Sequence, residues 1–249
     1  MPEQTPDELA NGPSRWTRVW TGIGLFRRGW LRALIAGVLS GAGWVLSYPP
    51  LSIWPAVALI VWPVLWIAGR TGRRGGSAWH AGLWLAIGTI PAWAWLTRWA
   101  AQGAPAGFPL LVGYLALYSG LTLWAILRCR RAWPRLPMAV AGPVLWVGVE
   151  FLRGRVAFDG FPWFCAAHPL IDAPSTVENA GLAWPAMFIG TYALSGLVVL
   201  VVAGFDLIVR GRRIGGSCAW IPLLVLVWPV GSLFPWVDDA SSGPIPIVG

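Results

Sequence analysis

The sequence predicts an all-α, polytopic membrane protein of about seven transmembrane helices with its N-terminus in the cytoplasm. Mean hydropathy is +0.64. With 57% hydrophobic and only 11% charged residues, the chain is too apolar for one soluble core of 249 residues. Uncharged stretches recur along it at close to the ~20 residues a helix needs to cross a bilayer core of roughly 30 Å. The basic residues alternate between the segments that join these stretches. Arg15, Arg18, Arg27, Arg28 and Arg32 precede the first span, and Arg70, Arg73 and Arg74 follow the second. Arg128, Arg130, Arg131 and Arg135 follow the fourth, and Arg210, Arg212 and Arg213 follow the sixth. Only Arg98, Arg153 and Arg155 fall on the other side. Short cytoplasmic loops retain Arg and Lys, so this asymmetry sets orientation as well as span number.

Residues 1–30 are polar and lack the early apolar run of a signal peptide. They read as a cytoplasmic tail followed by a basic interfacial segment, Arg27 to Arg32. Ala33 to Gly69 is uncharged and too long for one span. Tyr48-Pro49-Pro50 divides it, because proline stops helix propagation and restricts the residue before it. Spans near 31–47 and 53–68 result. Gly37, Gly41 and Gly43 give the first a small-residue face for close packing inside the bundle.

Ala78–Leu96 and Phe108–Leu127 are the third and fourth spans, and Leu136–Phe151, short and with Glu150 inside its end, is the fifth. The sixth lies within Asn179 to Phe205, beginning near Trp184-Pro185, and Cys218–Val237 is the seventh. That places Asp238 and Asp239 outside. The membrane domain is thus expected over 31–237. Among twenty tryptophans, Trp54, Trp79, Trp99, Trp133 and Trp236 stand at predicted span ends, where an amphipathic ring suits the headgroup zone. The net charge of +8 does not point to nucleic acid, because its arginines sit in short runs at span ends, where anionic lipids attract them.

One connection stands apart. Residues 152–182 form a long outer loop, and Phe158, Phe161, Trp163 and Phe164 make it too apolar for disorder. A re-entrant piece covered by protein or facing a watery cavity is expected. Glu150 and Arg153 lie i, i+3 on a helix and share a face. They read either as a charge-neutralising pair closing the helix end or as a site where the planar Arg153 fork holds a lipid phosphate. Asp206 and Arg210 make an i, i+4 pair at the cytoplasmic end of the sixth span. Cys165-x-x-His168 supplies too few ligands for a metal site, and Cys165 reads as a small buried thiol. His80 reads as an exposed or capping side chain. No phosphate-binding Gly loop, nucleophile elbow or zinc-protease helix motif stands in the sequence, so no metal or other cofactor is expected.

On these residues the chain resembles the N-terminal membrane portion of the apolipoprotein N-acyltransferase family. The resemblance rests on Glu150-Phe151-Leu152-Arg153-Gly154 followed by Gly160-Phe161-Pro162-Trp163. It is supported by Pro49, Pro50, Trp54 and Pro55 after the first span, Trp95 near the end of the third, and Pro143 with Trp146 leading into Glu150. It runs from about residue 30 to the C-terminus and departs after Ala167 and His168, where Pro169 and Leu170 replace the family's usual Ser or Thr and Gln. It implies lipid or substrate-binding roles for Glu150, Arg153, Gly160, Phe161, Pro162, Trp163, Trp95 and Pro50. It also implies a bacterial inner-membrane location, with membrane phospholipid and a lipoprotein N-terminus as partners.

The family's reaction uses a Glu-Lys-Cys triad in an extracytoplasmic nitrilase-like domain. The triad takes an acyl chain from a phospholipid as a thioester and passes it to the α-amine of a diacylglyceryl-cysteine. Residues 238–249 resemble the start of that domain, and the chain holds no lysine. The expectation is a membrane domain, present as a fragment or truncated product, that transfers no acyl groups alone. The alternatives are a catalytically inactive membrane binding or scaffold protein needing a separate partner, and a small transporter. Against the transporter stands the scarcity of ionisable residues within the spans, where only Glu150 and Asp206 qualify.

Overall fold

Six long helices carry the architecture: α1 (Arg15–Ser47), α2 (Val57–Thr71), α3 (Ala78–Leu96), α4 (Phe108–Ala132), α5 (Met138–Phe151) and α6 (Ala186–Val209). The computed structural model describes residues 15–71, 77–156, 160–171 and 185–209. Among the described residues everything regular is helical, with short 3-10 turns at Trp54–Ala56 and His168–Leu170 and one helical turn at Ala100–Gly103. The stretches Gly29–Ser47, Phe108–Ala132 and Phe188–Leu207 are long and apolar enough to cross a membrane, and Trp54–Arg70 is a shorter apolar helix. This is an all-helical membrane protein. The expected seventh span, Trp236, Arg210, Cys218 and residues 238–249 lie outside the described residues.

The first six expected spans coincide with α1 to α6. The N-terminal boundary differs: α1 starts at Arg15 and runs unbroken to Ser47, so the basic segment Arg27 to Arg32 continues into the first span. No proline interrupts 15–47, and nothing forces a break there. Pro63, Pro91 and Pro143 sit inside α2, α3 and α5 without ending them. Membrane helices tolerate this because neighbours and local adjustments satisfy the freed carbonyls.

The helices close into a ring in the order α1, α3, α4, α5, α6, α2 and back to α1. Glycine makes the tightest crossings. A Cβ on Gly37 of α1 would strike the backbone of Leu85 and Gly88 in α3, and one on Gly82 of α3 would come within 2.7 Å of the Gly120 carbonyl in α4. The small-residue face of the first span is therefore used within the molecule. Ile60, Leu65, Leu85, Trp93, Leu115, Leu123, Ile126 and Leu194 fill the centre. Outside, Leu110, Val144, Phe188 and Phe205 stand exposed, as lipid-facing side chains do. Trp79, Trp99 and Trp133 are more than half exposed at or just beyond helix ends, whereas Trp44, Trp93 and Trp146 are buried.

Polar groups finish several ends. Ser77 caps α3 by accepting from the His80 amide at 3.4 Å. Arg130 Nη1 donates to the Ala68 carbonyl in the last turn of α2 at 2.8 Å. Asp206, buried in α6, accepts from Trp62 Nε1 at 3.1 Å.

Candidate functional site

The site begins where α5 stops being an α-helix. Trp146 and Glu150 lie i, i+4 on its buried face, and Trp146 Nε1 donates to Glu150 Oε1 at 2.9 Å. At Leu152–Val156 the chain widens into a π turn, which turns Arg153 and Gly154 inward. The chain is described again from Gly160, beside the π turn. Phe161 N donates to Arg153 O at 2.9 Å. Gly160 has φ 89°, and a Cβ there would run into the Gly154 carbonyl; one on Gly154 would meet the Tyr192 hydroxyl. These two glycines are where the Leu-Arg-Gly and Gly-Phe-Pro-Trp halves of the motif touch.

From Phe164 to Ala167 the loop runs inside the bundle, and side chains from α5, α6, the π turn and Tyr48 just past α1 bind the backbone of Trp163–Ala167. Arg153 Nη2 donates to Trp163 O at 2.9 Å and to Phe164 O at 2.8 Å. Tyr48 OH donates to Cys165 O at 2.8 Å. Glu150 Oε1 accepts from Ala166 N at 2.9 Å, and Ser195 Oγ accepts from Ala167 N at 3.1 Å. Each such group, buried and left without a partner, would cost about 1–3 kcal/mol. Phe164, at φ 61°, points its ring at Tyr48 (5.1 Å between centroids) and Trp93 (5.5 Å). Residues 164–167 are buried, with their backbone bonded to the protein around them.

The expected residues therefore divide. Glu150, Arg153, Gly160 and Phe161 come together. Hydrogen bonds of the two side chains reach the loop and Trp146, with the two charges close enough to act on each other. The π turn takes Arg153 off the α-helical face that an i, i+3 spacing assumes. Arg153 is 4% exposed, with its guanidinium facing the loop carbonyls. Pro162 and Trp163 are exposed at the loop surface, Trp163 at 63%. Trp95 is exposed at the end of α3 with the Arg98 guanidinium 4.2 Å above its ring, and Pro50 is exposed after α1. Tyr48 and Ser195 hold the loop and are residues that sequence reasoning missed. Tyr48 adjoins the Pro49-Pro50 break, but no pattern marks Ser195.

Cys165 and His168 latch the loop onto itself. Cys165 N donates to His168 Nδ1 at 3.4 Å, and Cys165 Sγ donates to Pro162 O at 3.4 Å. Burial, aided by the nearby Glu150 carboxylate, pushes the thiol up to about 12. That keeps it protonated and a poor nucleophile. Asp206 accepts from Trp62 Nε1, and its expected pairing with Arg210 lies outside the described residues.

Two recesses flank the contact between Gly154 and Gly160. One is an apolar groove of about 610 Å³ lined by Pro109, Leu110, Leu111, Tyr114 and Leu117 of α4 together with Gly160 and Phe161. The other, about 390 Å³, is more polar and is lined by Arg155, Cys165, His168, Thr191 and Tyr192 among others.

Comparison with known proteins identifies a family. Residues 40–204 match the family described as apolipoprotein N-acyltransferase N-terminal domain. An apolipoprotein N-acyltransferase of Vibrio parahaemolyticus is 33% identical over 163 residues, covering 60% of this chain and 30% of that protein. One from Photobacterium profundum is 28% identical over 225 residues, covering 87% of this chain and 40% of that protein. One from Aquifex aeolicus is 28% identical over 203 residues, covering 78% of this chain and 41% of that protein. The chain thus spans well under half the length of these curated relatives. With the match extending from α1 across the Glu150–Arg153 turn and the gripped loop into α6, the chain belongs to the apolipoprotein N-acyltransferase family, through its N-terminal membrane domain.

Proposed function

We propose that this chain is the membrane portion of a bacterial inner-membrane apolipoprotein N-acyltransferase, multi-pass and with its N-terminus inside. It admits lipid from the bilayer and positions it for acyl transfer to a lipoprotein N-terminus. The observation that carries this reading is the apolar groove between α4 and Gly160-Phe161, which opens beside the gripped loop and has the size and lining to take an acyl chain. Glu150 and Arg153 act through the loop, fixing the course of Gly160 and Phe161 along the groove. The exposed Pro162, Trp163, Trp95 and Pro50 supply contacts to lipid or lipoprotein from the surface. The acyl-transfer chemistry is not drawn from these residues, since no lysine is available for a Glu-Lys-Cys triad. The second reading is a membrane binding or scaffold protein that works with a separate partner.

A chimera tests both. Residues 30–237 replace the matching segment of the Vibrio parahaemolyticus relative, and the purified chimera is incubated with phospholipid and a diacylated lipopeptide. Triacylated product, detected by mass and lost on Leu117→Trp in the groove, is the expected result. A well-folded chimera that binds lipid but forms no product supports the scaffold reading. One that neither binds lipid nor forms product overturns both.

A further inference from the structure

We propose that the bundle holds an internal water, and that this water joins Glu150 to Arg153. A cavity of about 30 Å³ lies between the helices and is lined by Ser40, Tyr118, Ser119, Thr122, Glu150 and Arg153, with the tryptophans 44, 93 and 146 among its walls. That is room enough for a water, which needs about 10–15 Å³ of such space. Glu150 and Arg153 are both more than nine-tenths buried. Glu150 Oε2 and Arg153 Nε have no hydrogen-bond partner among the described residues. Each side chain holds the loop with its other atoms, so the two leftover atoms belong to the residues that wall the cavity.

The chemistry of the lining selects the guest. Ser40 Oγ donates to Ile60 O, Ser119 Oγ to Leu115 O, and Thr122 Oγ1 to Tyr118 O. Those hydroxyl hydrogens are already committed, so Ser40 and Thr122 offer lone pairs. The cavity therefore presents acceptors, including a carboxylate oxygen, beside the Tyr118 hydroxyl and one charged donor, the Arg153 Nε–H. A cation meets the guanidinium, and an anion meets the carboxylate with only one strong donor to hold it. An apolar guest leaves both charged groups unsatisfied, at several kcal/mol. Water accepts from Arg153 and donates to Glu150 and a hydroxyl oxygen, within the two to four partners that a buried water makes. The two charges then compensate each other through that molecule, while their remaining atoms stay with the loop.

X-ray radiolytic footprinting of the full chain in nanodiscs tests this, because a bound water activated in place oxidises the side chains around it. Trp93 and Trp146, buried on the cavity wall, should be labelled at a dose that labels the exposed Trp79. Thr122→Leu, which fills the cavity, should lower that labelling several-fold relative to Thr122→Val, with Trp79 unchanged. Absence of label at Trp93 and Trp146, or equal label in Thr122→Leu, overturns the proposal. Xenon pressurisation of crystals of the unaltered chain gives an independent reading, since a dry cavity takes xenon and a wet, charged one does not. Water density between Glu150 and Arg153 is expected there, and xenon density in its place overturns the proposal.

Discussion

Glu150 and Ala166 are joined by a 2.9 Å hydrogen bond in which a carboxylate on a membrane helix accepts from the backbone of the outer loop. The same carboxylate oxygen holds Trp146, and three residues further on Arg153 holds the two carbonyls that lead into Ala166. The motif residues at the end of α5 are therefore a clamp on the chain that follows them.

Arg153→Gln should destabilise the protein by about 3–5 kcal/mol, because it leaves the Glu150 carboxylate buried without its compensating charge and frees two carbonyls. The double variant Glu150→Gln, Arg153→Gln should recover part of that loss. It should not recover all, since Gln is too short to replace both carbonyl bonds. Unfolding midpoints in detergent measure this, and full recovery would mean that the loop bonds contribute nothing.

Gly160→Ala should be more harmful than an ordinary loop substitution. The residue needs φ 89°, and the added Cβ would enter the Gly154 backbone. A positive-φ penalty of about 1–3 kcal/mol adds to that clash. Reduced yield and a lower unfolding midpoint are expected, with Gly113→Ala, where nothing lies within 4 Å of the new methyl, as the neutral comparison.

Alkylation of Cys165 should be slow in the folded protein up to about pH 10, because only the thiolate reacts. Burial raises this thiol from its ordinary 9.0 to about 12. The sign follows for stability: the contribution of the neutral thiol is complete below the ordinary value and is lost as pH rises from there through 12. The unfolded chain should react near pH 9 at the ordinary rate, and rapid labelling of the folded chain at pH 8 would contradict the burial.

Orientation can be read by labelling single-Cys variants in intact cells. A membrane-impermeant probe should reach Ser241 and the 166–182 loop and should reach Ser77 and Ser217 only after the membrane is opened. Labelling of Ser77 in intact cells would break the arginine-based topology, since Ser77 caps α3 on the side where Arg70, Arg73 and Arg74 stand.

The helices were legible because charge is so scarce that its positions mark their ends, and six of the expected spans correspond to α1 to α6. Glu150 and Arg153 stood out by their position at a span end, whereas the bond from Trp146 to Glu150 was not among the expectations. The direction in which Arg153 points was not legible, because helical spacing presumes α geometry and the chain turns π at Leu152. Tyr48 and Ser195 were not legible either. Their partners lie 117 and 28 positions away, and only closure of the ring brings them to Cys165 and Ala167.

The five bonds that Tyr48, Glu150, Arg153 and Ser195 make to Trp163–Ala167 all end on peptide groups, and every residue carries a peptide group. Such a grip does not distinguish one side chain from another. The loop can keep its course while its residues change, provided that they stay small enough at Ala166 and Ala167, which are almost fully buried. The unusual Pro169 and Leu170 lie just past the last of these bonds, where the clamp makes no demand on them. Relatives that share this architecture can thus diverge in the loop sequence while Gly154, Gly160 and the two charged clamps remain. A search guided by spatial arrangement will find them after a residue pattern has faded.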